Sequence, residues 1–286
     1  MSHDRPETFL RIGTAGWAIP KPVAGEFPAD GSALARYSSV FDAVEINSTF
    51  RRSHQAKTYE RWRDTVPPTF RFSVKTPQSL THSARLVDCA AGVSSFLAEV
   101  SSLGPKLGPI LFQLPPSLAF DANVVESFCK LLGQGARFTL GCEPRHASWF
   151  NAEVDEWLAE RRIARVAADP ALHPGAGEPG GWRGLSYYRL HGSPRVYYSS
   201  YDAAQIASLQ ERWEKDDAND KWCIFDNTAS GVASRQPSNH SRARASLSHG
   251  FASLTIMASA LALMTIAPDE SMRSASTWQF FLAVPT

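Results

Sequence analysis

The sequence predicts an α/β protein of the (β/α)8, TIM-barrel-like class, and three observations lead to that prediction. Eight short apolar runs recur along the chain, each bounded by turn residues. Segments with helical spacing of apolar residues separate many of these runs. Almost every run ends in charged or amide side chains, which a buried strand avoids. Eight alternations of strand and helix are typical of a TIM barrel, with a doubly wound sheet as the alternative.

The predicted strands contain β-branched or aromatic residues, and several are nearly continuous apolar runs. Such runs indicate strands that are covered on both faces, as in a parallel sheet. In chain order the predicted strands are FLRIG (9–13), FDAVEIN (41–47), FRFSVKT (70–76), PILFQL (109–114), RFTLGCE (137–143), ARVAAD (164–169), LSYYRLHG (185–192) and WCIFDN (222–227).

Helices are predicted where apolar residues recur three and four positions apart between the strands. Gly104 and Gly133 follow two of these segments, and a glycine in that place commonly ends a helix. The predicted helices are SALARYSSV (32–40), VSSFLAEVSSLG (93–104), NVVESFCKLLG (123–133) and EVDEWLAERR (153–162).

Composition sets limits on the class of protein. A chain of 286 residues is long for one ordinary domain and normal for an α/β barrel. Its net charge of +1 does not show the excess of basic residues that direct nucleic-acid binding would favour. The four cysteines are widely spaced, which favours buried reduced thiols over a disulfide framework. The first residues show no signal-peptide pattern, so we expect a cytoplasmic protein.

Polar side chains stand at the carboxyl ends of the predicted strands. In a barrel these ends meet at one rim, which is where active sites lie. In three of the strands, a spacing of two residues places a polar pair on one side of the strand: Glu45 with Asn47, Glu143 with Arg145, and Arg189 with His191. The candidate catalytic residues are Glu45, Lys75, Glu143, Asp169, His191 and Asp226, and the candidate ligand-binding residues are Trp17, Asn47, Gln113, Arg145, His146, Arg189 and Asn227.

Several strings at these positions resemble the YecE-like family, which is defined by domain of unknown function 72. The resemblance extends over roughly residues 9–231. It implies a TIM-barrel-like fold but no reaction, because the family has no settled biochemical function. The matching strings are GTAGW (13–17), FDAVEINSTF (41–50), FRFSVKTP (70–77), LTH (80–82), LGPKLGPILFQLPPSL (103–118), CEPRHASWF (142–150), YYRLHGSPRVYYSSY (187–201) and WCIFDNTASG (222–231).

The chain departs from the family pattern in two places. Arg51 follows EINSTF where the family has a tyrosine, which removes an aromatic contact expected at the rim. After residue 231 the family's closing helix is not recognisable, so residues 1–231 are predicted to form the barrel domain and residues 232–286 an atypical tail. The last outer helix is accordingly expected to be altered or missing.

Three interpretations of the tail compete. The stretch FASLTIMASALALMTIA (251–267) carries no charge, but it is short and weakly hydrophobic for a membrane anchor, so membrane insertion is disfavoured. A divergent folded segment is the second interpretation. We favour a shift of reading frame near Val232–Ser234, because codons for SRQPSNHSRARA read one base later can spell a family-like helix.

The candidate residues suggest acid/base chemistry on an anion. Arginine forks at Arg145 and Arg189 suit a carboxylate or phosphate, while Glu45, Glu143 or His191 would move protons. Lys75 suits either a Schiff base or a counter-ion for Glu45 or Glu143. Carboxylates with His191 are compatible with a divalent metal, although no H-x-x-x-H or H-x-H spacing supports zinc.

These features lead to two functional hypotheses. The first is an enzyme with hydrolase- or lyase-type chemistry on a small anionic substrate at the barrel mouth, without an evident organic cofactor. The second is a non-catalytic protein that binds an anionic metabolite or docks on a nucleic-acid-processing partner. The motifs do not choose between hydrolase and lyase.

Overall fold

A strand lies within or beside each predicted strand segment in the computed structural model, which describes residues 9–133 and 138–227. The sixth predicted strand is divided at Val166 into two strands, β6 and β7, and the two-residue strand β8 was not predicted. The strands are β1 Phe9–Thr14, β2 Ala43–Ile46, β3 Arg71–Lys75, β4 Leu107–Gln113, β5 Leu140–Glu143, β6 Ile163–Arg165, β7 Ala167–Asp169, β8 Gly180–Gly181, β9 Leu185–Leu190 and β10 Asp220–Phe225.

The strands pair in parallel and in chain order around a ring, except that β8 pairs antiparallel with β6. One sheet has the order β1-β10-β9-β7, and the other has the order β2-β3-β4-β5-β6-β8. The sheets meet at Val166, whose N–H donates to Cys142 O at 2.8 Å between β6 and β7. They meet again where Ala15 bridges to Glu45 and Gly16 N–H donates to Glu45 O at 2.9 Å. The fold is TIM-barrel-like, as predicted.

An α-helix lies between each pair of successive strands from β1 to β6 and between β9 and β10, and four of these six α-helices among the described residues were predicted. The prediction missed α2 and α6. Helix α2 buries only Tyr59, so its apolar stripe is too narrow to show the helical period. Helix α6 begins with a capping box between Asp202 and Gln205, and this local pattern marks the start of a helix that apolar spacing did not predict. The helices are α1 Ala33–Tyr37, α2 Ala56–Thr65, α3 Ala90–Val100, α4 Ala122–Leu132, α5 Ala152–Glu160 and α6 Ala203–Lys215.

The two predicted helix-ending glycines behave differently. Gly133 has φ 78° and caps α4, which confirms the prediction. The predicted end at Gly104 is wrong, because α3 ends at Val100 and the chain continues as a 3-10 segment over Ser101–Lys106. Pro105 lacks an N–H and disfavours helical backbone at the residue before it, so an α-helix does not continue through this segment.

The barrel interior is apolar at one end and charged at the other. A cluster that includes Leu185, Tyr187, Trp222 and Ile224 fills the amino-terminal end, where the rings of Tyr187 and Trp222 stack 6.0 Å apart. Alternate residues such as Tyr188 belong to the larger core between strands and helices. Nearer the carboxyl ends, the inward positions of the strands carry ionisable side chains. All four cysteines are buried and unpaired, as predicted.

The predicted tail lies outside the described residues, and so does the proposed frame shift near Val232–Ser234. Among residues 9–133 and 138–227, no helix has the length and apolar character needed to cross a membrane. The cytoplasmic location stays a prediction.

Candidate functional site

Arg189 lies at the centre of the charged end of the barrel and is fully buried. Its Nε and Nη2 donate to the two carboxylate oxygens of Glu45 at 3.0 and 2.8 Å. Its Nη1 donates to Glu143 Oε2 at 2.5 Å, and Nη2 also donates to Asp226 Oδ2 at 2.9 Å. One guanidinium therefore joins three carboxylates from three different strand ends. Such a group is expensive to bury unless it is paired, and four hydrogen bonds to carboxylates pair it here.

Strand periodicity explains why these groups meet. Tyr187, Arg189 and His191 are two positions apart on and just after β9, so all three point into the barrel. The Tyr187 hydroxyl donates to Glu45 Oε2 at 2.9 Å and lies 2.8 Å from Ser73 Oγ. Tyr187 thus links the apolar end of the interior to the charged end.

His191 lies between two carboxylates. Its Nδ1 is 3.1 Å from Asp226 Oδ2, and its Nε2 is 3.2 Å from Glu143 Oε1. Burial opposes the charged ring, but the Glu143 charge and the hydrogen bonds of both carboxylates raise the pKa of His191 above its ordinary value. The imidazolium form, which can donate a proton, is therefore stabilised relative to that of a free histidine.

The two carboxylates beside His191 are held in the ionised form. Burial alone would raise the pKa of Glu143, but the charges of Arg189 and Arg145 hold that pKa well below its usual value. Arg189 and His191 likewise lower the pKa of Asp226 against the effect of burial. Both side chains are therefore acceptors near neutral pH, so proton donation in this group of residues falls to His191.

The dependence of folding stability on pH tests the ion pairs around His191, because protonation of the ring is coupled to folding. Because its folded-state pKa is raised, the imidazolium contributes stability fully below the unfolded value of about 6.5 and loses it as pH rises through the higher folded value. We expect the loss in unfolding free energy of His191→Asn to be largest below about pH 6.5 and to shrink at higher pH. Urea unfolding of wild type and variant at a series of pH values measures this loss. A loss that grew with pH would contradict the raised pKa of His191.

Arg145 connects this group to solvent. Its Nη2 and Nε donate to Glu143 Oε1 at 2.9 and 3.2 Å, and its side chain is 25% exposed. Gln113 Nε2 donates to the same oxygen at 2.9 Å. A pocket beside these groups is lined by Glu143, Arg145 and His191 and has an apolar wall that includes Phe150, Leu172 and Val196.

Lys75 is 6% exposed and lies beside this network without joining it. Its Nζ is 4.2 Å from the centre of the Phe50 ring. Among the described residues no carboxylate oxygen lies within 4.0 Å of Nζ, so Lys75 is not a direct counter-ion of Glu45 or Glu143. Burial and the Arg189 charge lower the pKa of Lys75 to about 8, although the surrounding carboxylates oppose this shift.

The described residues contain no prepared metal site. No group of three or more His, Cys, Asp or Glu side chains in residues 9–133 and 138–227 is arranged to hold a metal ion. The guanidinium of Arg189 already lies among Glu45, Glu143 and Asp226, where a cation would otherwise bind. A divalent metal stays a prediction.

A comparison with protein families identifies the chain. The model for "Protein of unknown function DUF72" matches residues 11–252. The chain belongs to the DUF72 family. The YecE-like resemblance of the sequence is therefore confirmed.

Curated relatives and solved structures agree with this assignment. UPF0759 protein YecE of Escherichia coli K12 is 30% identical over 166 residues, which are 56% of this chain and 59% of the relative. UPF0759 protein YunF of Bacillus subtilis 168 is 28% identical over 176 residues, which are 59% of this chain and 61% of the relative. The matches thus span about three fifths of the relatives' length.

Two solved structures of DUF72 family proteins show the same fold. The protein from Enterococcus faecalis V583 has a TM-score of 0.66 and 17% identity, with 91% of this chain and 97% of that chain covered. The protein from Thermotoga maritima MSB8 has a TM-score of 0.62 and 23% identity, with 77% of this chain and 92% of that chain covered. These matches support the fold.

Two predicted residues of this DUF72 barrel lie next to the network in a supporting position. Asp169 Oδ2 accepts from the Tyr201 hydroxyl at 2.7 Å, and the same hydroxyl oxygen accepts from Gly192 N–H at 2.9 Å. Asn227 Nδ2 donates to Ser199 O at 3.0 Å. Asp169 and Asn227 thus hold the chain that follows His191, and a direct role for either stays a prediction.

Three further predicted residues lie outside the hydrogen bonds of the network. His146 Nδ1 accepts from Ser148 N–H at 3.2 Å and caps a 3-10 helix. Trp17 packs edge-on against Trp62, with ring centres 4.9 Å apart. The Oδ1 atom of Asn47 is buried and has no hydrogen-bond partner among the described residues. Their proposed ligand contacts stay predictions.

Four residues that contact the charged network or the Phe50 ring were not among the candidate site residues, although the sequence allows Tyr187 and Tyr197 a place in the wall of a ligand site. The Tyr187 hydroxyl binds Glu45 from inside the barrel and also contacts Ser73 Oγ, and the position of Tyr187 two residues before Arg189 signals its inward direction. The ring of Tyr197 lies edge-on to His191, 5.9 Å between centres. His82, inside the LTH string, lies 5.0 Å from the Phe50 ring, and no local spacing signalled that contact.

Proposed function

We propose that this DUF72 protein is an enzyme that performs acid/base chemistry, of the hydrolase or lyase type, on a small anionic substrate in the barrel mouth. The observation that carries the proposal is the position of His191. It lies between the carboxylates of Glu143 and Asp226 and lines the same pocket as Arg145. A raised histidine pKa, an arginine and an apolar wall in one pocket are typical of sites that bind and protonate anions.

His191 is the proton-transfer residue in this proposal. Its imidazolium is stabilised by both carboxylates, so it can give a proton to a bound substrate and remain fixed in orientation. The edge of Tyr197 lies against the ring and limits the access of water from that side. When Nε2 gives its proton to the substrate, the remaining Nδ1–H still donates to Asp226 and holds the ring in place.

Arg145 is the anion-binding residue in this proposal. It can leave Glu143 for a substrate, because Gln113 and His191 still contact Glu143 Oε1 and Arg189 still donates to Oε2. Arg189 cannot be released in this way, since four of its contacts go to buried carboxylates. We therefore assign Arg189 to positioning, which replaces its predicted role as an anion-binding group.

A ligand screen by thermal unfolding tests the anion site. Phosphate esters, sugar acids and divalent metals are added to the full chain, and a specific anion is expected to raise the melting temperature saturably. We expect Arg145→Gln to weaken that anion about tenfold, or about 1.4 kcal/mol. Arg61→Gln, an exposed arginine on α2, is the matched control and should bind as the wild type does. Equal effects of the two substitutions, or no saturable anion, would contradict the proposal.

One observation favours the second candidate, a non-catalytic protein that binds an anionic metabolite. Both ring nitrogens of His191 already face carboxylates, an arrangement that also occurs in purely structural ion-pair networks. The same screen separates the candidates, because stabilisation by an anion that is never converted would favour binding alone. Docking on a nucleic-acid-processing partner stays a prediction.

A further inference from the structure

A second set of basic side chains surrounds one aromatic ring on the opposite side of the mouth. The Phe50 ring centre lies 4.2 Å from Lys75 Nζ, 5.7 Å from Arg51 Cζ and 5.0 Å from the centre of the His82 ring. These residues come from the chain after β2, the end of β3 and the π-helix Ser79–Ser83 that follows β3. We call Phe50, Arg51, Lys75 and His82 the Phe50 cluster.

The cations of the Phe50 cluster lack carboxylate partners. Across residues 9–133 and 138–227, no carboxylate oxygen lies within 4.0 Å of a side-chain nitrogen of Arg51 or Lys75. Lys75 and Arg189 are both buried in this part of the mouth, but Arg189 contacts three carboxylates. Glu45, Glu143 and Asp226 act on Lys75 only from a distance, so no carboxylate among the described residues forms a direct ion pair with the Phe50 cluster.

Lys75 also differs from the other shielded lysines of the barrel. Lys106 Nζ donates to the backbone oxygens of Arg63 and Val66 at 2.6 and 2.5 Å, and Lys221 Nζ donates to Trp213 O at 2.9 Å. Within the described part of the chain, Lys75 Nζ donates to no acceptor, and its close contact is the face of the Phe50 ring. A buried ammonium without an acceptor is costly unless a ligand supplies one.

The basic groups act on one another across the cluster. Burial, followed by the charges of Lys75, Arg145 and Arg51, lowers the pKa of His82. His82 Nδ1 lies 2.9 Å from Thr81 Oγ1, a contact that holds the ring in place. Like charges gathered around one ring repel, and a bound anion relieves that repulsion.

We propose that Arg51, Lys75 and His82 form a subsite for the phosphate group of a phosphorylated small-molecule substrate. This deepens the proposed function and rests on it. A phosphate carries up to two negative charges and three acceptor oxygens, which match an arginine fork, a lysine point charge and one histidine N–H. The reacting part of the same molecule lies toward Arg145 and His191, since Lys75 and Glu143 end parallel strands of the same sheet and so face the same barrel mouth.

Isothermal titration of the full chain with inorganic phosphate, at fixed ionic strength, tests the subsite. Wild type is expected to bind one phosphate saturably, and Arg51→Gln is expected to weaken it at least tenfold. Arg52→Gln removes the same charge one residue away and should change the affinity less than twofold. Phosphate that does not saturate, or an equal loss in the two variants, would overturn the proposal. Malonate that binds as tightly as phosphate would overturn the assignment to phosphate.

One more variant separates this subsite from the proposed function. His191→Asn is expected to keep phosphate affinity within twofold of wild type, because His191 lies outside the Phe50 cluster. If phosphate binds and depends on Arg51 but no substrate is ever converted, the subsite stands and the proposed function fails. If a substrate is converted while Arg51→Gln binds phosphate as wild type does, the proposed function stands and the subsite fails.

Discussion

Replacement of Arg189 by methionine is expected to lower the free energy of unfolding by about 3–5 kcal/mol. The substitution keeps much of the side-chain volume but removes the cation that Glu45, Glu143 and Asp226 share. Among the described residues, Glu45 would then keep only the Tyr187 hydroxyl, and Arg145 and His191 would be left to balance Glu143 and Asp226, so the buried carboxylates would repel one another more strongly. Urea denaturation of the purified protein near neutral pH measures the loss.

A matched control uses the partly exposed arginine of the same site. Arg145→Met removes a salt bridge to Glu143 from a side chain that is 25% exposed, so we expect a loss of about 1 kcal/mol or less. If both substitutions cost the same, Arg189 is not the buried centre of the network. If Arg189→Met cost less than about 1 kcal/mol, the carboxylates would not depend on its charge.

The cost of Arg189→Met should also depend on pH. In wild type the pKa values of Glu143 and Asp226 are lowered, so their stabilisation is present above the unfolded value of about 4 and is lost as pH falls through the lower folded values. Without Arg189, burial raises these pKa values, and protonation relieves the repulsion as pH falls. The difference between variant and wild type should therefore shrink in acid.

Replacement of Trp222 by alanine is expected to lower the free energy of unfolding by about 3–5 kcal/mol. Trp222 is 1% exposed, stacks on Tyr187 and lies against Gly108, where an added Cβ would come within 2.6 Å of its ring. The substitution leaves a cavity inside the barrel beneath the charged network, and the surrounding strands cannot close it.

Denaturant unfolding of Trp222→Ala is best compared with Tyr198→Ala. Tyr198 is 47% exposed, so its removal should cost less than about 1 kcal/mol. A Trp222→Ala variant as stable as Tyr198→Ala would contradict the packing of the interior. Loss of the Trp222 ring should also weaken anion binding, because Trp222 stacks on Tyr187, whose hydroxyl donates to Glu45 in the charged network.

Periodicity alone predicted much of the fold. Apolar runs identified all eight strand segments, because strands covered on both faces differ sharply from the polar chain between them. Strand β8 was missed because Gly180–Gly181 is too short to show a pattern. Helix α2 was missed because it buries too few residues. The spacing of apolar residues reflects which side chains are buried, so elements that bury few side chains cannot be predicted from it.

The sequence predicted which residues form the candidate site better than it predicted the contacts among them. The two-residue spacing of Arg189 and His191 correctly placed both on the inner face of the barrel, where they meet Glu143 and Asp226. Spacing could not show that Arg189 would be saturated by carboxylates from distant strands, because such contacts depend on the register of the closed barrel. The same limit explains why His82 and its contact with Phe50 were missed.

The measurement that most directly tests the central claim follows a stabilising anion over time in the presence of the protein. An anion that raises the melting temperature is incubated with wild type, His191→Asn and Arg61→Gln, and its conversion is monitored by nuclear magnetic resonance. We expect wild type and Arg61→Gln to convert it, while His191→Asn still binds it but converts it at least a hundredfold more slowly, consistent with loss of about 10²-fold or more from general acid catalysis. Equal conversion by wild type and His191→Asn, or binding of every stabilising anion without conversion, would contradict the claim that His191 moves protons in this barrel mouth.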